Sequence, residues 1–268
     1  MMDNRPIGVF DSGLGGLSVI KELNRVLPNE NFVYFGDTGR VPYGTKSAET
    51  VKRYAAQDER FLLSHDVKMI IAACGTVSSV AGDLVESLPV PYIEVVTPAA
   101  EAAVKATKNG KIGVLGTAAT VNSNSYKNKM LALNPNLEIV QTACPLFVQL
   151  VEVGWIDRND EITVKTAERY LKEMKEKGVD TVILGCTHFP AIKDIISDVL
   201  GDGVTLINSG EQAALKAAEY LRRCDALGSG AERKFFVSDR VQSFSEIAGI
   251  LLGSDISNNV EQINIEGY

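Results

Sequence analysis

Two apolar runs in this chain end in nearly the same way. Val67-Lys68-Met69-Ile70-Ile71 leads into Ala72-Ala73-Cys74-Gly75-Thr76. Val179-Asp180-Thr181-Val182-Ile183 leads into Leu184-Gly185-Cys186-Thr187-His188. Each run has the length and β-branched content of a buried strand. Each stops at a cysteine that has a threonine one or two residues later. Ligands of open parallel sheets bind outside the carboxyl ends of the strands. Two thiols at equivalent strand ends therefore point to chemistry done from two sides of one small molecule.

The rest of the chain alternates short apolar runs with helical periods, which predicts β-α units and parallel sheets covered on both faces. Strands are expected over 7–10, 32–35, 69–73 and 92–96, with helices over 17–26, 48–64 and 98–107. Leu17, Ile20, Leu23 and Leu27 share one face of the first helix. The series then repeats. Ile7-Gly8-Val9 ending in Ser12 is echoed by Ile112-Gly113-Val114 ending in Thr117. Leu27-Pro28-Asn29 is echoed by Asn134-Pro135-Asn136, and the run at 90–96 by the run at 204–208. The offset grows slowly, as in a duplicated half with small insertions. The expected fold class is α/β, with two pseudo-symmetric doubly wound parallel-sheet domains and the active site in the cleft between them. One domain is expected to hold 1–98 with 209–268, the other 99–208. Past a linker at 225–230, a short strand at 235–237 and a helix over 241–252 should pack back on the first half. Phe244, Ile247, Ala248 and Leu251 share one side of that helix.

Composition narrows the partners. The 268 residues carry 27 Lys and Arg against 34 Asp and Glu, a net charge of −7. An acidic chain without basic runs argues against nucleic acid and against an anionic membrane surface. No apolar stretch approaches the ~18 residues of a membrane span. The start at Met1-Met2-Asp3 has no signal-peptide pattern. Four scattered cysteines, Cys74, Cys144, Cys186 and Cys224, do not form a disulfide framework and fit a reducing cytoplasm. Cys144 and Cys224 lack a following threonine and read as apolar core residues.

Several polar segments fall at strand ends. Phe10-Asp11-Ser12-Gly13-Leu14-Gly15-Gly16 misses the dinucleotide fingerprint, because Ser18 stands at the third glycine position. It reads better as a tight turn offering N–H groups to a carboxylate, with Asp11 and Ser12 either facing the site or capping the helix. The loop with Pro42, Tyr43 and Gly44 can bring backbone donors and a ring edge to the cleft. Thr117 and Thr120 fall where Ser12 falls in the first half. Glu152 is a carboxylate inside an apolar stretch, equally readable as an exposed face residue. No C-x-x-C or H-x-x-x-H spacing supports zinc on Cys74, Cys186 and His188, and no redox pair is present. No metal and no cofactor are expected.

Together, the Asp11-Ser12 turn, Gly36-Asp37-Thr38 with Val41-Pro42-Tyr43-Gly44, Ala72-Ala73-Cys74-Gly75-Thr76 and Leu184-Gly185-Cys186-Thr187-His188-Phe189-Pro190 resemble the bacterial glutamate racemases. These belong to the cofactor-independent aspartate/glutamate racemase group, and the similarity runs through essentially the whole chain. The resemblance implies two α/β halves and interconversion of L- and D-glutamate without metal or pyridoxal phosphate, supplying D-glutamate for peptidoglycan. It implies a small-molecule partner and allows a homodimer. It makes Cys74 and Cys186 the acid/base thiols, with Asp11, His188 and Glu152 in support. Substrate contacts would come from Asp11, Ser12, Pro42, Tyr43, Gly44, Gly75, Thr76, Thr117, Thr120, Thr187 and His188. One position departs from the family: an Asn usually follows the first cysteine, and here it is Gly75. A glycine cannot donate from a side chain, although its N–H or a water can take that place.

Two thiols suit this chemistry. Inversion needs a proton removed on one face of a carbon and returned on the other, which two monoprotic groups accomplish by exchanging roles. Asp11 is expected to tune Cys74, and His188 to tune Cys186. Three other readings stay open at this point: an aspartate or hydantoin racemase of the same group, a cleft that binds an amino acid without catalysis, and a thiol-dependent metal enzyme.

Overall fold

In the computed structural model, residues 2–81, 88–252, 256 and 259–268 are described. The first half runs β1 (Ile7–Asp11), α1 (Leu17–Val26), β2 (Phe32–Gly36), α2 (Ala48–Leu63), β3 (Met69–Ala72), α3 (Gly75–Val80), β4 (Tyr92–Glu94) and α4 (Val96–Ala106). The second runs β5 (Lys111–Gly116), α5 (Ala118–Ser123), α6 (Ser125–Leu133), β6 (Glu138–Ala143), α7 (Pro145–Glu152), α8 (Glu161–Lys177), β7 (Thr181–Leu184), α9 (Lys193–Leu200) and β8 (Thr205–Asn208). There follow α10 (Ser209–Arg223), β9 (Arg233–Val237), α11 (Val241–Leu252) and β10 (Val260–Gln262).

All strand pairings are parallel. One sheet has the order β10-β9-β2-β1-β3-β4 and the other β6-β5-β7-β8. The order β2-β1-β3-β4 is thus repeated strand for strand in the second half, matching the repeat seen in the sequence. Side chains alternate between faces of a strand. Ile7, Val9 and Ile71 accordingly enter one apolar cluster with α1 and α10, while Phe10, Val33 and Ile70 enter another beneath α2. The second sheet divides likewise, Leu115 and Val182 on one face, Val114 and Ile183 on the other. Burial on both faces explains why these strands read as continuous apolar runs.

The tail extends the first sheet, with β9 beside β2 and β10 outside it. On α11, Phe244 and Ala248 join the core; the side chains of Ile247 and Leu251 lie outside those described. Two expectations need correction. The helix expected from 98 begins at Val96, because the Glu94 carboxylate accepts from the N–H groups of Val96 (2.5 Å) and Thr97 (2.8 Å) and turns the chain early. Cys224 is exposed, because it ends α10 beyond the alanine face that packs on the first sheet.

A buried ion pair ties the linker down. Lys68 Nζ meets Glu30 Oε2 at 2.6 Å, both side chains nearly sealed from solvent. The same ammonium donates to the carbonyls of Asp3 and Ala226, and Glu30 Oε1 accepts from Gly228 N–H. Lys68→Met should strand the Glu30 charge and cost about 3–5 kcal/mol of stability. A urea titration reads this as a lower midpoint, and the double variant with Glu30→Gln should recover most of the loss.

Candidate active site

The strand ends expected from sequence converge. Cys74 follows β3 and Cys186 follows β7, and both line a cleft of about 190 Å³. Its wall also includes Ser12, Pro42, Tyr43, Gly44, Gly75, Thr76, Thr117, Glu152, Thr187 and His188. No lysine or arginine lines it. A space this small suits a compact metabolite rather than a nucleotide.

Each thiol has its own neighbour. Cys74 Sγ donates to Ser12 Oγ at 3.6 Å, and Cys186 Sγ lies 3.7 Å from His188 Nδ1. Burial, and then the charge of Asp11, push the Cys74 thiol up to about 12. Burial alone would lower His188. Its contacts to Cys186 and Glu152, with Asp11 behind, outweigh that and push it up to about 10. His188 is therefore an imidazolium at neutral pH, a positive charge beside the Cys186 sulfur. Its Nε2 lies 3.3 Å from Glu152 Oε1. That N–H is not aligned for a hydrogen bond, so the contact is an ion pair rather than a directed bond.

Asp11 and Thr120 stand behind the wall rather than on it. The Asp11 carboxylate is fully buried. It accepts from the N–H groups of Gly13 (3.1 Å) and Gly16 (3.0 Å) and, across the two halves, from the Thr187 hydroxyl (3.4 Å). It is thus the brace of the glycine turn. Burial raises its carboxyl above the usual range, against the pull of His188 and the N–H groups. The Asp11 charge holds the Cys74 proton on rather than drawing it off. Thr120 is buried against Thr117, which caps α5 by accepting from Thr120 N–H. The hydroxyls of Thr76, Thr117 and Thr120 form a chain with spacings of 3.0 and 3.1 Å. Thr76 belongs to the first half and Thr117 to the second, so this chain bridges the cleft.

Gly75 has a steric reason. A Cβ there would stand 2.3 Å from the Gly185 carbonyl oxygen, closer than atoms tolerate. The loop after β3 thus seats directly on the backbone before Cys186.

Sequence reasoning missed Val41, Thr45, Ala118, Pro145, Val148 and Gln149. With Glu152, the three from α7 fall at helical spacing on one face, a period that was there to be read. Among the described residues, no group of three or more His, Cys, Asp or Glu could hold a metal ion. No helix among them is long and apolar enough to cross a membrane.

The model of the Asp/Glu/Hydantoin racemases matches residues 7–218. The chain belongs to that family. Among its relatives, the glutamate racemase of Geobacter metallireducens is 42% identical over 266 residues, covering 98% of this chain and 97% of that protein. The crystal structure of a glutamate racemase from Francisella tularensis in complex with D-glutamate superposes with a TM-score of 0.92 at 37% identity, covering 100% of both chains. The glutamate racemase isoform RacE1 of Bacillus anthracis does so with a TM-score of 0.92 at 36% identity, covering 97% of this chain and 98% of that one.

The two thiols stand in different surroundings, and that difference makes a prediction. With Cys224→Ser removing the exposed thiol, iodoacetamide in mildly alkaline buffer should label Cys186 before Cys74. His188→Gln should slow labelling of Cys186 and leave Cys74 unchanged. Peptide mass spectrometry reads both rates; equal rates at the two cysteines would contradict the assignment.

Proposed function

We propose that this chain is a glutamate racemase that inverts the α-carbon by a two-thiol acid/base mechanism without a cofactor. The observation that carries the reading is the pairing of Cys74 and Cys186 at matched strand ends on one small cleft. Whole-length similarity to glutamate racemases, one of them in complex with D-glutamate, supports glutamate as the substrate.

Cys186, facing the His188 imidazolium, takes the α-proton of one enantiomer as thiolate. Cys74, a thiol hydrogen-bonded to Ser12, returns a proton to the opposite face. The α-carbon ends inverted, Cys186 holds the abstracted proton, and Cys74 is left as thiolate. Starting from the other enantiomer, the roles exchange. With no lysine or arginine among the described residues of the wall, the substrate carboxylates are held by hydroxyls of Ser12, Thr76, Thr117 and Thr187. The N–H groups of Gly75, Thr76, Ala118 and Ala119, at the openings of α3 and α5, add to them. Such donors stabilise the negative charge that develops as the α-proton leaves. Glu152 keeps His188 charged and oriented. The product D-glutamate would supply peptidoglycan synthesis, as the resemblance implies, and the reaction would take place in the cytoplasm.

Purified protein with L-glutamate and no added cofactor should lose the optical signal to zero, with deuterium entering the α-position in D2O. Cys74→Ala and Cys186→Ala should each lower racemisation by about a thousandfold. Each variant should keep one-sided elimination from a β-chlorinated analogue, with opposite enantiomer preference. Full racemisation by either variant would sink the two-base scheme.

A further inference from the structure

The loop between β2 and α2 carries a buried array that the two-thiol scheme does not use. Tyr43 and Gly44 line the cleft, yet the Tyr43 phenol points away from it. Its hydroxyl bonds Asp37 Oδ2 and lies 3.1 Å from Asp58 Oδ2. Arg40 closes the array: Nε donates to Asp37 Oδ2 at 2.5 Å, Nη2 to Asp58 Oδ1 at 3.2 Å and Nη1 to Gln57 Oε1 at 2.6 Å. The guanidinium lies 4.0 Å from the Tyr54 ring centroid. Ser238, just after β9, donates to Asp37 Oδ1 at 2.8 Å. Asp37 and Asp58 are fully buried.

We infer that Arg40, Asp37 and Asp58 are positioning residues for substrate binding, acting through the phenol of Tyr43 to set the Tyr43-Gly44 turn against the cleft. The inference rests on the racemase reading and adds to it residues that touch no substrate. Its first support is the tight fit of the turn. A Cβ at Gly44 would come within 2.7 Å of Thr117 Cβ across the cleft, so a shift of a few tenths of an ångström in the turn alters the cleft wall. Its second support is cost. Two buried carboxylates around one guanidinium are expensive, and an apolar filling would stabilise as well or better.

The proton count gives the array a direction. Tyr43 has one hydroxyl proton, and Asp37 receives donors at both oxygens, so the phenol donates to Asp37. Asp58 Oδ2, at 3.1 Å, is the second and weaker acceptor of the same phenol. The groups facing Asp58 are Arg40, Asp37 and Tyr43, with Glu59 beside it on the helix. Burial, and then the Asp37 charge, raise the Asp58 carboxyl well above the usual range. The phenol thus donates first to Asp37 and second to Asp58, and Arg40 closes the array by donating to both carboxylates.

This order makes the two aspartates unequal, and steady-state racemisation of glutamate tests it. Asp58→Asn keeps an acceptor oxygen for the phenol, and KM should stay within about twofold of the parent. Asp58→Ala and Tyr43→Phe should each raise KM by about tenfold, with kcat much less affected. Asp37→Asn, which removes the acceptor charge, should behave like Tyr43→Phe. A purely stabilising array would lower melting temperatures and leave KM of the folded enzyme unmoved. The inference is overturned if Tyr43→Phe keeps the parent KM, or if Asp58→Asn is as impaired as Asp58→Ala. A parent chain that neither racemises glutamate nor exchanges its α-proton would overturn the racemase reading itself, a result distinct from either.

Discussion

A parallel strand delivers whatever follows it to the same edge of its sheet as its neighbours do. Everything chemical in this molecule depends on that constraint. β1, β2 and β3 bring Ser12, the Tyr43 turn and Cys74 to one edge, and β5 and β7 bring Thr117 and Cys186 to the other. Because the strand order of the first sheet recurs in the second, the two edges present matching residues at matching positions. The cleft is where they meet, and the contacts between them are short. They include Thr76 on Thr117, Asp11 on Thr187 and the Ser18 hydroxyl on the Thr187 carbonyl.

The charge pattern of this region is economical. Burial opposes every ionised group, and each one present has a named counterpart. The Asp11 carboxylate sits among N–H groups with His188 within its field, and His188 sits between Cys186 and Glu152. Cys74 has the Ser12 hydroxyl and the Val77 N–H beside it, and burial with the Asp11 charge keeps it protonated. Two chemically identical side chains thus stand in different surroundings, Cys74 beside a hydroxyl and Cys186 beside an imidazole.

Much of this was legible in the sequence. Period and β-branched content located the strands, and α1 and α11 have the bounds that the apolar spacing predicted. The two Cys-Thr strings singled out the two cysteines that line the cleft. What stayed hidden was side-chain direction. Whether Asp11 faces the cleft or braces its own turn depends on where Gly13 and Gly16 bring their N–H groups. Tyr43 was expected to show a ring edge, but its phenol is claimed by Asp37 and Asp58, partners that no local pattern joins to it. The early start of α4 is a side-chain effect of Glu94 that outweighs the boundary suggested by Pro98. The departure at Gly75 was visible, but its meaning was not, since the Gly185 carbonyl that forbids a side chain lies far along the chain.

The tail strands carry a consequence for the order in which the molecule is made. The second sheet is built wholly from 111–208, whereas the first needs β9 and β10 from beyond residue 232. During synthesis from the amino end, the half that begins later in the chain has all its strands first. The earlier half keeps an open edge at β2 until residues 233–237 have left the ribosome. Ser238, which bonds Asp37, and Glu266, which reaches Arg40 at 3.3 Å, arrive with them. The loop that carries Tyr43 therefore gains its full set of partners only after the second sheet has all its strands.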